Sequence, residues 1–124
     1  MTTFSTKILS EKGAGFIQVD FTDEAGVVVI PNAGTIKWTL TNKPLRGIVP
    51  TIINTKEQVA ITSASTVNVP LEGNDLAFTS SEAGEPFVDR VLAVEYQYNS
   101  TLGNNIDANA QHVFQIENLY YITD

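Results

Sequence analysis

A chain of 124 residues, 43% hydrophobic and 17% charged, has the size of a single globular domain and lies outside the low-hydrophobicity, high-charge range of disordered segments. Fourteen acidic against seven basic residues give a formal net charge of −7 with no Lys/Arg cluster, which argues against nucleic acid and anionic membrane as partners. Cysteine is absent, so disulfides, thiolate chemistry and cysteine-held metals are excluded.

The opening MTTFSTKILSEKG lacks the positive-then-apolar layout of a signal peptide, and no apolar run approaches the roughly 18 residues of a membrane helix. Residues 1–12 are polar and are expected to form a flexible amino-terminal arm, with the domain over 13–124. FIQVDF then alternates: Ile17, Val19 and Phe21 share one face, and Phe16, Gln18 and Asp20 the other. TDEAG turns, with Gly26 free to take positive φ. VVVIPNAG reads as a short buried strand closed by Pro31, Asn32 and Gly34. In TIKWTLTN, Ile36, Trp38 and Leu40 point one way and Lys37, Thr39 and Thr41 the other. Trp38 is expected to pin the core.

NKPLRG is a turn, and IVPTIIN is extended, with Pro50 marking an edge or a bulge. EQVAITSA and TVNVPLEG are two more short strands, the second burying Val67, Val69 and Leu71. GNDLAFTSSEAGEP is the one helical candidate, capped by Asn74 or Asp75 and ended by Gly84 and Pro86. FVDRVLAVEYQYNS is the longest strand, with Leu92, Val94 and Tyr96 inward. TLGNNIDANA reads as a polar loop. QHVFQIENLYYI closes the domain with Phe114 and Ile116 inward.

Seven or eight half-polar strands at this spacing, with no amphipathic helix for a crossover, predict an immunoglobulin-like antiparallel β-sandwich. A small Greek-key barrel is the competing architecture.

Chemistry is sparse. His112 is the sole histidine, and one imidazole cannot supply the roughly four ligands of a zinc site. No GxSxG, GxxxxGK[ST] or GxGxxG motif is present. Asn105, Asp107 and Asn109 alternate like calcium-loop oxygens, but Ala110 and Ile116 occupy the positions where such a loop needs its glycine and its glutamate. The pairs Glu82/Glu85 and Asp89/Glu95 lack a neighbouring aromatic sugar platform. The chain is therefore expected not to be an enzyme and to carry no catalytic residue, cofactor or metal.

Three stretches resemble small Ig-like virion proteins of tailed bacteriophages: FTDEAGVVVIPNAGTIKWTLTN, VNVPLEGNDLAF, and LAVEYQYNSTLGNN with HVFQIENL. The resemblance spans Phe21 to Leu119 and breaks at PLRGIVPTIIN. It implies a capsid decoration, neck or tail-associated subunit, assembled in the bacterial host cytoplasm and carried on the virion. Its partners would be other virion proteins and further copies of itself in a symmetric homo-oligomer. Expected contact residues are Thr2, Phe4 and Ile8 on the arm, Ile48, Pro50 and Ile52 on the proline-bearing edge, and Tyr120 and Tyr121. The alternative is a bacterial cell-surface Ig-like adhesion module that binds protein or glycan.

Overall fold

The alternating stretches pair into eight strands in this computed structural model, which describes residues 2–6, 9–10, 13–43, 46–78, 82 and 84–117. They are β1 (Thr2–Thr6), β2 (Leu9–Ser10), β3 (Ala14–Phe21), β4 (Lys37–Asn42), β5 (Val59–Ala60), β6 (Thr66–Glu72), β7 (Phe87–Ser100) and β8 (Gly103–Glu117). One sheet has the order β1-β3-β6. The other has the order β2-β8-β7-β4-β5, in which β2 and β5 are two residues each. All pairings are antiparallel except β2 with β8.

This is the immunoglobulin plan. The first strand divides between the sheets, as β1 on one and β2 on the other. The second and fifth strands of the plan (β3 and β6) lie opposite its third, sixth and seventh (β4, β7 and β8). β5 is a short addition beside β4, and the described residues contain no strand beyond β6.

The core follows from the period of two. Ile17, Val19 and Phe21 of β3, with Val67, Val69 and Leu71 of β6, face Trp38, Leu40, Leu92, Val94, Tyr96, Phe114 and Ile116 across the sandwich. Each fully buried aliphatic side chain contributes about 2 kcal/mol relative to exposure. Phe21 and Tyr96 meet edge to face between the sheets, with centroids 4.7 Å apart. Trp38 is 3% exposed, as a core pin must be.

Four expectations are corrected. Residues 2–6 are not a separate arm: they pair with β3 in the register Thr2 with Phe21 through Thr6 with Ile17. Val27 to Ile30 is not a strand, because only Val28 makes a bridge there, to Thr22. Within the helical candidate the described residues hold a 3-10 turn over Gly73–Leu76, capped at Glu72 and not at Asn74 or Asp75, with Asp75 inside the turn and Glu82 also in 3-10 conformation. Asp75 accepts from the Glu72 N–H at 3.3 Å. The stretch read as a polar loop, 101–110, turns at Thr101 and Leu102 and then runs as the first half of β8.

Candidate functional site

The end of the sandwich formed by the β3–β4 connection and the β7–β8 turn carries the most organised surface. Asp23 builds the first turn of that connection. Its side-chain oxygen accepts from the N–H groups of Ala25 and Val27, both at 2.9 Å, and its carbonyl from Gly26 at 3.0 Å. Gly26 sits at φ +82, a conformation that a Cβ would strain. Glu24 then reaches the neighbouring hairpin. It accepts from the Ser100 hydroxyl at 2.6 Å and the Tyr98 hydroxyl at 3.4 Å. Burial first, and then the Glu24 carboxylate, raise the pKa of the Tyr98 phenol.

Asn32 ties the other end of the connection. Its N–H donates to the Gln97 carbonyl at 2.7 Å. Its side-chain amide donates to Asn105 at 2.8 Å and Asn99 at 3.2 Å. The Thr35 hydroxyl donates back to the Asn32 carbonyl at 2.6 Å. This polar frame holds an apolar surface outward. Val27, Val28, Ile30 and Leu102 are each between 60% and 76% exposed. The opposite end of the domain carries a smaller apolar set, Ile48, Val49 and Phe87.

Between β5 and β6 the sandwich opens laterally into a cleft of about 600 Å³. Trp38, Val59, Pro70, Asn54, Asn68 and Asp75 are among the residues that line it. The Asn54 amide donates to the buried Asp75 carboxylate at 2.8 Å. Asn54, Thr55 and Gln58 all take positive φ beside this cleft.

His112 faces inward and is half-buried. Its ring stacks on Phe4 at 4.9 Å and 7° and lies 6.4 Å from Phe114. Its Nε2 is buried without a hydrogen-bond partner among the described residues. Burial lowers its pKa.

Glu82, one of the carboxylates considered for acid–base work, is held by Arg90. The guanidinium donates to its two oxygens at 2.7 and 2.6 Å, and also to the carbonyls of Asp89 at 3.0 Å and Ala77 at 3.3 Å. Asn105, Asp107 and Asn109 alternate along the exposed face of β8, so neighbouring members stand about 6.7 Å apart along the strand. Asn105 already accepts from Asn32, and Asp107 from Gln97 at 2.7 Å. Among the described residues no three His, Cys, Asp or Glu side chains gather as a metal site.

The contact residues expected from the sequence do not converge. Thr2 and Phe4 lie in β1. The Thr2 hydroxyl is 2.7 Å from the Tyr96 hydroxyl, and Phe4 covers His112. Ile48 and Pro50 are exposed at the opposite end, and Ile52 is half-buried and bridged to Thr41. Ile8, Tyr120 and Tyr121 lie outside the described residues. The exposure of Val27, Val28, Ile30 and Leu102 is not legible in the sequence, because GVVVI has the composition of a buried strand. Asp23 and Gly26 before it and Pro31 after it were the available signs of a loop. No family model, curated protein or solved structure matches the chain.

Proposed function

We propose that this protein is a structural subunit of a tailed-phage virion, a capsid decoration or head–tail-associated part. In this reading it works by binding another virion protein through its Val27/Val28/Ile30/Leu102 end. One observation carries the binding role: an exposed apolar cluster on a connection that Asp23, Glu24 and Asn32 fix by hydrogen bonds. Exposed apolar side chains on prearranged connections favour association, because ordering entropy has already been lost on folding. The virion setting comes from the resemblance of the strand and turn stretches.

The test is cosedimentation of the purified chain with phage particles. Val28→Glu combined with Leu102→Glu places two charges in the contact and is expected to abolish cosedimentation without lowering Tm. Undiminished binding by the double variant overturns the assigned surface. Sedimentation with bacterial cells instead of particles overturns the virion setting in favour of an adhesion module.

A further inference from the structure

The five-stranded sheet ends on a long strand with an open edge. β8 runs for 15 residues, and among the described residues the only strand on its outer side is β2, at Ile116 and Glu117. From Gly103 to Gln115 its outer backbone groups have no strand partner among the described residues. The remaining edges are protected by other means. β5 is two residues long, β1 is five, and β6 carries Pro70. Proteins commonly blunt an exposed edge with proline, lysine or shortness, because unpaired N–H and C=O groups recruit another strand. From Gly103 through Gln115 there is no proline, lysine or arginine, and Asp107 is the single carboxylate.

We propose that β8 is a self-association edge. The β8 strand of a second copy pairs antiparallel with it about a twofold axis at Asn109, making one sheet continuous across two molecules. Three observations select a second copy as the occupant. First, Asn105 at φ +53 interrupts the strand, and a twofold at Asn109 pairs Ile106 with His112 within the regular part beyond it, short of the residues that β2 pairs. Second, it sets Asn109 against its twin and Asp107 against Gln111, on the exposed face of the sheet. A register centred on Asp107 would oppose two carboxylates in a chain whose net charge is already −7. Third, β8-to-β8 pairing closes both open edges at once. Pairing β8 with any other edge is head-to-tail and closes only as a larger ring or runs on as a filament.

The experiment uses the purified full chain without particles, so its outcome is independent of the virion reading. Sedimentation velocity across a concentration series is expected to show a monomer–dimer equilibrium. Gln111→Glu sets a second carboxylate against Asp107 twice across the axis and is expected to weaken the dimer about tenfold. Gln111→Lys is expected to strengthen it beyond the gain from Glu57→Lys, an exposed control for net charge. The chain lacks cysteine, so Asn109→Cys introduces a single thiol at the axis. It is expected to form a disulfide dimer on oxidation far faster than Glu57→Cys. All these positions are exposed, so folding is retained and Tm serves as the check. A chain that stays monomeric at every concentration overturns the proposal. So does a dimer indifferent to Gln111→Glu and uncrosslinked by Asn109→Cys.

Discussion

The Thr2 hydroxyl lies 2.7 Å from the hydroxyl of Tyr96, although 94 residues separate them. Thr2 belongs to β1 on one sheet and Tyr96 to β7 on the other, so the bond ties the amino-terminal strand across the sandwich. Thr2→Val removes one side of a largely buried pair and is expected to cost about 1 kcal/mol. For a domain of this length that lowers Tm by roughly 3–5 °C. Deleting residues 2–6 strips the antiparallel partner from β3 and is expected to cost more. Thermal melts followed by circular dichroism read both changes. A deletion that melts at the parent temperature would show that β1 is dispensable.

Arg90 is 0% exposed, and the Glu82 carboxylate receives two of its guanidinium hydrogen bonds. A buried charge that loses its partner costs far more than the pair itself contributes. Glu82→Leu is therefore expected to destabilise by about 3 kcal/mol. Adding Arg90→Met to Glu82→Leu is expected to recover much of that loss, since the charge leaves with its partner. Urea titrations of the single and double variants supply the comparison. Additive losses would contradict this account.

Trp38 is the single tryptophan and lies in the core beside the Val94 and Val59 registers of its neighbouring strands. Its emission is expected to be blue-shifted and shielded from iodide until the chain unfolds. Trp38→Ala leaves a cavity and is expected to cost about 3–5 kcal/mol, a large share of the roughly 5–15 kcal/mol of a whole domain. Red-shifted, readily quenched native fluorescence would be incompatible with the packing described.

Burial holds the His112 pKa below its ordinary value of 6.5. The folded protein therefore binds this proton less readily than the unfolded chain. Stability is lost as pH falls from about 6.5 toward the depressed folded value, and above 6.5 this group adds no slope. His112→Phe preserves an aromatic surface for Phe4 and removes the ionisation. The stability difference between parent and variant is expected to move with pH below about 6.5 and to be flat above it. Denaturant midpoints at a series of pH values check this, and parallel curves would refute it.

Alternation in the sequence was enough to identify most inward faces. Ile36, Trp38 and Leu40, the odd residues of β3 from Ile17 to Phe21, and Leu92, Val94 and Tyr96 are all buried as their parity requires. The first half of β8 was missed, although its period is intact, with Ile106, Ala108 and Ala110 inward. Alanine is a weak hydrophobic mark, and Asn105, Asp107 and Asn109 on the other face are turn-forming types. The apolar end was misread for the converse reason. Val27, Val28 and Ile30 are strand-forming residues on a connection that must cross from β3 to β4 outside the core.

The amino-acid sequence alone determined which residues alternate, and therefore that the chain builds two stacked sheets with Trp38 between them. That property is local: successive strand side chains point to opposite faces whatever the partner. Only the tertiary structure decided that residues 2–6 pair with β3, that Glu24 and Asn32 secure a connection to a hairpin some seventy residues away, and that β8 has β2 alone on its outer side among the described residues. Those outcomes depend on hydrogen bonds between segments far apart in the chain, and backbone donors and acceptors are nearly alike from strand to strand, so local alternation shows which face is buried but not which strand lies alongside.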